Sequence, residues 1–166
     1  MFIKKTKFKD LCIITQKPYY DKRGFFVELF NKQNLKHINF VIKQVNFSFS
    51  KKNVFRGMHF QITKPQSKII GVIEGEIEDY VIDLRKQSKT YKKLFKKKLS
   101  LKNKKFLLVP KNFAHGFFVK SKFARIVYFV DEYRYKKLER TLPIMEINKK
   151  FYKKLPKNLI LSNKDK

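Results

Sequence analysis

One of the three histidines in this chain lies in a segment whose residue types could do chemistry. Residues 54–61 read VFRGMHFQ, with His59 three positions after Arg56 and two after Gly57. An imidazole can accept a proton near neutral pH, bind a metal or fill a core, and an arginine can hold a phosphate. The segment leaves three interpretations of His59 open: a structural residue, a metal ligand or a general base.

Metal binding is disfavoured by the surrounding sequence. A metal site in a jelly-roll barrel needs two histidines one or two positions apart, a carboxylate nearby and a later histidine. Phe60 and Gln61 follow His59, so the paired histidine is missing, and His37 and His115 are isolated. We therefore predict no metal site.

Nucleophilic catalysis is disfavoured as well. Cys12 lies in the apolar segment KDLCIIT, which predicts a small buried residue, and the chain has no Gly-x-Ser-x-Gly motif. Proton abstraction beside a carbonyl remains. It needs a neutral histidine with an orienting carboxylate, a cation for the developing oxyanion and a tyrosine that returns a proton. These residue types are present, but their spacing does not show that they meet, so a structural role for His59 stays open here.

Composition limits the class of protein further. The 166 residues are 43% hydrophobic and include 18 Phe and 8 Tyr, enough core material for one domain over residues 1–166. No apolar run approaches the length of a transmembrane helix, and residues 1–15 lack the pattern of a signal peptide. Because a single cysteine cannot form an intramolecular disulfide, we expect a cytoplasmic protein. The lack of a long apolar run also predicts that the protein has no membrane partner.

The net charge of +28 is the strongest compositional feature. It could indicate a polyanionic partner, since lysine and arginine release counterions from a phosphate backbone. The lysines, however, occur in small clusters along the whole chain and form no separate basic tail. This distribution favours a diffusely charged, solvated surface over a nucleic-acid partner.

Short segments rich in Phe, Ile, Val and Tyr, separated by turn residues, predict strands. Their number favours an all-β sandwich or barrel, of which a jelly roll is the natural form. Gly75 predicts a hairpin that turns at Glu74-Gly75, and short peripheral helices are predicted at 31–38 and near 143–155. The strand segments are 24–30, 41–50, 53–61, 67–85, 92–100, 104–110, 114–121 and 124–133.

Such a barrel would gather polar side chains in one cavity, because alternate residues of each strand point inward. Strict alternation in residues 55–61 places Arg56 on one face and His59 on the other. A bend or bulge at Gly57 would bring both to the same opening. We therefore expect such a bend or bulge at Gly57.

Six segments in fixed order carry a resemblance to a known family. They are RGFFVELF (23–30), QVNFS (44–48), NVFRGMHFQ (53–61), KPQSKIIGVIEGEIEDYVIDLRKQSKT (64–90), LVPKNFAHGFFV (108–119) and LSNKD (161–165). Over residues 20–165 the chain resembles the dTDP-4-dehydrorhamnose 3,5-epimerase family. The resemblance implies a metal-independent, cofactor-free cupin-type jelly roll, usually a homodimer whose N-terminal segments cross between subunits. The implied substrate is a nucleotide-linked 4-keto-6-deoxyhexose of surface-polysaccharide biosynthesis.

The resemblance also implies roles for individual residues. His59 matches the base that removes the protons on carbons 3 and 5, and Asp165 matches the carboxylate that orients it. Lys68 matches the lysine that stabilises the enolate oxygen, Tyr128 the acid that reprotonates from the opposite face, and His115 a second histidine that contacts the substrate.

A further set of residues matches positions that bind the nucleotide. Tyr133 matches an aromatic residue that stacks on the base, and Arg23 and Glu28 are expected to reach into the partner subunit's site. The matched nucleotide- and phosphate-binding positions are Arg23, Glu28, Gln44, Asn46, Arg56 and Glu139.

Four alternatives stay open. The enzyme could invert one carbon instead of two, or act on a GDP- or UDP-linked keto sugar. From another class, the chain could be a basic single-stranded nucleic-acid-binding barrel or an inactive homologue that only binds sugar nucleotides.

Overall fold

A computed structural model of the chain describes residues 1–143 and 155–165. Over these residues the secondary structure is almost entirely β, with single turns of 3-10 helix at Gln33–Leu35, Lys136–Leu138 and Asn163–Asp165. The strands are β1 (Phe2–Lys5), β2 (Cys12–Thr15), β3 (Pro18–Asp21), β4 (Gly24–Val27), β5 (Gln44–Lys51), β6 (Phe55–Gln61), β7 (Lys68–Glu74), β8 (Glu76–Asp83), β9 (Leu94–Ser100), β10 (Lys105–Val109), β11 (Phe113–Val119), β12 (Phe123–Val130) and β13 (Glu139–Thr141).

Two antiparallel sheets form the body of the molecule. One has the strand order β1-β2-β10-β7-β12-β5 and the other β13-β6-β11-β8-β9, while β3 and β4 form a separate hairpin. Buried apolar side chains from both sheets pack between them, among them Ile70 and Leu107 from the first sheet and Val81 and Phe117 from the second. This arrangement is the jelly roll predicted from the spacing of the strands.

Several strands are nearly continuous apolar runs because their outer faces are covered too. Outside the six-stranded sheet, Ile69 and Phe106 pack against Leu35 and Phe40 of the segment after β4. Outside the five-stranded sheet, a second cluster that includes Met58 packs against leucines of the C-terminal segment (Leu155, Leu159 and Leu161). The C-terminal segment is therefore held over the sheet that carries β6.

The predicted hairpin at Glu74-Gly75 is confirmed: β7 ends at Glu74 and β8 begins at Glu76. Gly75 has φ +82°, and a Cβ there would lie 2.2 Å from the carbonyl oxygen of Phe123. Glycine is required for both the backbone conformation and the close approach.

The helix predicted at 31–38 is wrong. Only Gln33–Leu35 forms a 3-10 turn, and Leu35 is its single buried residue. Leu35 and Ile38 are the apolar residues of this segment, and two are too few for the apolar stripe that stabilises a short α-helix against a core. The helix predicted near 143–155 lies mostly outside the described residues.

Strand positions agree with the sequence better than strand ends do. β4 stops at Val27, β5 starts only at Gln44 and β12 ends at Val130, so those three predictions were too long. The short strands β1, β2, β3 and β13 were not among the predicted segments, because four or fewer residues give no resolvable alternation. Among the described residues, no helix is long and apolar enough to span a membrane.

Candidate active site

A cavity of about 630 Å³ opens between the two sheets. The six-stranded sheet contributes polar side chains from β5, β7 and β12, and the five-stranded sheet contributes them from β6, β11 and β13. The C-terminal segment closes one side. Its polar lining includes Gln44, Asn46, Ser48, Arg56, His59, Gln61, Gln66, Lys68, His115, Tyr128, Arg134, Glu139, Ser162, Lys164 and Asp165.

A bulge in β6 brings Arg56 and His59 to this cavity together. His59 pairs with His115, whereas Arg56 pairs with Phe117, so three steps along β6 oppose two steps along β11. The extra residue reverses the alternation, which is what a β-bulge does. Gly57 has φ +123°, and a Cβ there would lie 2.5 Å from the Cα atom of Gly116. The expectation of a bulge at Gly57 is confirmed.

His59 forms a close pair with Asp165. Its Nε2 lies 2.6 Å from Oδ1 of Asp165, whose side chain is 2% exposed. The Ser162 hydroxyl donates to the other carboxylate oxygen at 2.7 Å. Burial by itself raises the pKa of Asp165, but the hydrogen bonds from His59 and Ser162 outweigh it and hold that pKa below its usual value. Asp165 is thus an ionised partner for the imidazole.

The other ring nitrogen of His59 faces a second carboxylate at longer range. Nδ1 lies 4.0 Å from Oε1 of Glu139. Arg134 and Lys164 donate to Oε2 of Glu139 at 2.7 and 3.2 Å. Burial raises the pKa of Glu139, yet these cations more than compensate and lower it overall. Glu139 is therefore committed to the two cations, and Nδ1 is not hydrogen-bonded to it.

Lys68 and Tyr128 enter the cavity from the opposite sheet. Burial lowers the pKa of Lys68 to about 8, an effect that Glu139 partly offsets. Burial also raises the pKa of Tyr128, with a smaller opposing contribution from the hydrogen bond to Ser48, whose Oγ lies 3.1 Å from the phenol oxygen. At neutral pH the phenol keeps its proton and can donate it.

His115 lies beside His59 and has a carboxylate partner of its own. Its Nε2 is 2.8 Å from Oδ2 of Asp79, which is fully buried. Burial raises the pKa of Asp79, and the interaction with His115 opposes this rise. The two histidines thus present two imidazole–carboxylate pairs to one cavity.

Polar groups near the opening hold one another in place. Nε of Arg56 donates to the Ser50 hydroxyl at 2.9 Å. The Gln44 side chain donates to Asn46 at 2.6 Å and accepts from the backbone N–H of Arg134 at 3.1 Å. These contacts hold one arginine and two amide side chains in positions where they could bind a polar ligand.

Three predicted binding residues lie away from this cavity in the single chain. Tyr133 is 52% exposed and is not part of the lining. Arg23 is paired with Asp21 in the β3–β4 turn, and Glu28 accepts a hydrogen bond from Asn31. Arg23 and Glu28 could contribute only to another subunit's cavity, so their predicted role stays a prediction.

The fold also places in the site residues that were not predicted from the sequence. Asp79 lies between Ile77 and Val81 on the inward face of β8, and a carboxylate between two apolar residues of a strand was a usable signal. Arg134 and Lys164 gave no such signal among 41 basic residues.

Among the described residues, no group of three or more His, Cys, Asp or Glu side chains could hold a metal ion. What the cavity does offer is an imidazole with an ionised partner on one side and a protonated phenol and a lysine on the other. The fold and the site define a class: a cupin-type jelly-roll protein with acid–base side chains in its cavity.

Comparison with known proteins narrows this class. The family model described as dTDP-4-dehydrorhamnose 3,5-epimerase matches residues 5–166. Sequence identity is 37% over 172 residues to the enzyme of that name from Shigella flexneri, covering 99% of this chain and 93% of that one. It is 38% over 137 residues to the one from Salmonella typhimurium, covering 80% and 75%. The chain belongs to the dTDP-4-dehydrorhamnose 3,5-epimerase family.

A solved structure supports the same assignment. The dTDP-6-deoxy-D-glucose-3,5-epimerase of Legionella pneumophila, solved with dTDP-4-keto-L-rhamnose, superposes with a TM-score of 0.93 at 35% identity. The match covers 99% of this chain and 89% of that one. The family resemblance, the all-β jelly-roll fold and the enzyme class predicted from the sequence are confirmed.

Proposed function

We propose that this chain converts a dTDP-linked 4-keto-6-deoxyglucose to the corresponding 4-keto-rhamnose by inverting carbons 3 and 5. One observation carries the proposal. His59, with its ionised partner Asp165, faces the cavity from one sheet, while Tyr128 and Lys68 face it from the other. A sugar ring between the sheets would meet a base on one face and a proton donor on the opposite face.

The chemistry follows from this placement. Asp165 holds Nε2 of His59, so Nδ1 carries the lone pair that takes the proton from a carbon beside the keto group. The electrons of the broken C–H bond move into the keto group, and the resulting enolate oxygen needs a cation near it, for which Lys68 is placed. Tyr128 then gives its phenolic proton to the carbon from the other face. Its phenolate regains a proton from solvent, and Nδ1 of His59 releases the abstracted proton to solvent, which restores both groups for the next cycle. Two such cycles invert two carbons.

Binding is proposed to use the polar rim of the cavity. Arg56 is placed to hold the diphosphate, since a guanidinium matches phosphate oxygens in geometry and charge. The amides of Gln44 and Asn46 can read a nucleobase edge, and exposed Tyr133 can stack on its face. Oε1 of Glu139, the oxygen that Arg134 and Lys164 do not bind, is placed to accept a hydrogen bond from the ligand.

A homodimer is part of the proposal. β5 is an edge strand whose outward side chains Val45, Phe47 and Phe49 are 45–59% exposed. The separate β3–β4 hairpin exposes aromatic residues, and its turn carries Arg23. Burying this apolar surface against a second copy would be favourable and would bring Arg23 and Glu28 towards the partner's cavity. We retain the predicted cytoplasmic location as part of the proposal.

Solvent deuterium exchange tests the activity. In D₂O the wild-type protein should introduce deuterium at carbons 3 and 5 of dTDP-4-keto-6-deoxyglucose, as followed by NMR and mass spectrometry. His59→Asn should abolish this exchange, whereas His37→Asn, a change of an exposed histidine outside the cavity, should leave it intact.

The same assay decides the alternatives. Deuterium at one carbon only would indicate an epimerase that acts at a single carbon. Exchange with GDP- or UDP-linked sugars alone would show that the substrate carries that nucleotide instead of dTDP. Nucleotide binding without exchange would indicate an inactive homologue. Salt-sensitive retention of single-stranded DNA without any exchange would overturn the proposal in favour of nucleic-acid binding.

Subunit mixing tests the dimer. Light scattering should give twice the 20.1 kDa chain mass. Arg23→Ala and His59→Asn should each be nearly inactive, but a mixture equilibrated at equal amounts should recover about a quarter of wild-type activity, because half the dimers then contain one intact shared site. No recovery, with subunit exchange verified by mass spectrometry, would show that Arg23 does not serve the partner's cavity.

A further inference from the structure

The second histidine–carboxylate pair lies directly beside the first. His115 and His59 are register partners on β11 and β6, so their side chains project to the same face of the sheet. Asp79 holds Nε2 of His115 at 2.8 Å, just as Asp165 holds Nε2 of His59 at 2.6 Å. In both histidines Nδ1 is the ring nitrogen that remains for a substrate.

The two carboxylates differ in the surroundings of their second oxygen. Oδ2 of Asp165 accepts a hydrogen bond from Ser162. Oδ1 of Asp79 is buried and has no hydrogen-bond partner within the part of the chain that the structure describes. A buried carboxylate with an unsatisfied oxygen is disfavoured as an anion. In agreement, burial raises the pKa of Asp79, whereas the hydrogen bonds at Asp165 lower the pKa there.

The number of protons on each histidine–carboxylate pair decides whether Nδ1 can accept or donate a proton. If one proton is shared by an imidazole and its carboxylate, it lies on the Nε2 hydrogen bond and Nδ1 has a free lone pair. If the pair holds two protons, Nδ1 also carries one. A base needs the first state, and a donor to an enolate oxygen needs the second.

We infer that Asp79 is a positioning residue that keeps a second proton on its pair with His115, so that His115 presents Nδ1–H to the keto oxygen. Asp165, in contrast, leaves Nδ1 of His59 free to accept a proton. This inference rests on the proposed epimerase function. Among the described residues, the other titratable groups that interact electrostatically with Asp79 are Lys68 and Tyr128 of the opposite sheet and the neighbouring Tyr80. Lys68 and His115 then form the two donors around one oxyanion.

The protonation pattern can be measured without substrate. In protein labelled with ¹⁵N-histidine, long-range ¹H–¹⁵N correlation at pH 7 should show a protonated Nδ1 for His115 and an unprotonated Nδ1 for His59. His37 provides the signal of an exposed histidine, and His59→Asn and His115→Asn assign the resonances. An unprotonated Nδ1 on His115 in the wild-type protein would overturn the inference.

Two substitutions separate this role from packing. Asp79→Asn can donate an amide N–H to Nε2, which retains the proton on Nδ1, so deuterium exchange should stay within about tenfold of wild type. Asp79→Leu fills the space without a hydrogen bond, and exchange should fall roughly 10²-fold or more, mainly in kcat. Wild-type kcat in a folded Asp79→Leu protein would contradict the inference. If wild type shows the protonation pattern but no exchange with any nucleotide sugar, the proposed function fails while the pattern itself stands.

Discussion

Replacing Asp165 with asparagine tests whether this carboxylate orients the base. The side chain is 2% exposed and lies 2.6 Å from Nε2 of His59, so salt screens the interaction little. A hydrogen bond to a charged group contributes about 1.5–3 kcal/mol, and at about 1.4 kcal/mol per factor of ten its loss corresponds to a fall in kcat/KM of roughly 10- to 150-fold.

The orientation of the new amide decides where in this range the variant falls. If its oxygen faces His59, Nε2–H is still accepted and only the charge is lost. If its NH₂ group faces His59, it donates to Nε2 and the ring proton moves to Nδ1, which blocks the base. Ser162 can accept as well as donate, so it permits both orientations. The second orientation gives the larger loss.

The assay is the rate of deuterium incorporation at saturating and subsaturating substrate, together with the ¹⁵N spectrum of His59. Asp10→Asn is the matched control, because it removes the same charge from an exposed carboxylate (59% exposed) far along the chain. Ser162→Ala should cost only about two- to tenfold, since it removes one neutral donor from Asp165. Wild-type kcat/KM in Asp165→Asn would refute the proposed role of Asp165.

Three other predictions follow from the same geometry. Because burial lowers the pKa of Lys68 to about 8, the ammonium loses its proton as the pH rises through about 8. The kcat/KM profile should fall there, and Lys68→Arg should remove that fall; its persistence in the variant would contradict the assignment. Tyr128→Phe removes the donor on the far face, so product formation should drop about 10²–10⁴-fold while hydrogen exchange by His59 continues, with Tyr91→Phe as the unaffected control. Gly57→Ala should destabilise the protein by more than about 1 kcal/mol in urea unfolding, and by more than Gly24→Ala, where φ is also positive but a Cβ meets nothing within 4 Å.

The high positive charge comes from lysines spread along the whole chain. Many of the acidic side chains are already paired, for example Glu76 with Lys98 and Glu132 with Lys43. Lys68 and Lys164 line a cavity proposed to receive an anionic nucleotide. A diffuse positive field of this kind accelerates encounter with an anionic ligand and does so less at high salt.

Much of the fold could be read from local sequence. The strand predicted at 41–50 is present from Gln44 onward, and in it Val45 and Phe49 are exposed while Gln44, Asn46 and Ser48 line the cavity. Gly75 marked its hairpin because only glycine satisfies that turn. Such features depend on neighbours along the chain, which is why the sequence shows them.

The helix at 31–38 failed for the opposite reason. Its residues have adequate helical propensity, but propensity is weak unless a broad apolar face packs on a core. Here Leu35, Ile38 and Phe40 pack into the cluster outside the six-stranded sheet. Burial of these side chains determined the irregular conformation of the segment.

What the sequence determined by itself was the inventory of the site and the family: ordered motifs around His59, Lys68, His115 and Asp165, and strands enough for a jelly roll. What only the tertiary structure decided was which groups meet and in which protonation state. His59 and Asp165 are 106 residues apart, and His115 and Asp79 are 36 apart. Contacts at such separations depend on sheet register, on the bulge in β6 and on burial, which shifts the pKa of Lys68 and Tyr128. Apart from the bulge, which Gly57 indicated, these are properties of the packed fold that no local pattern encodes.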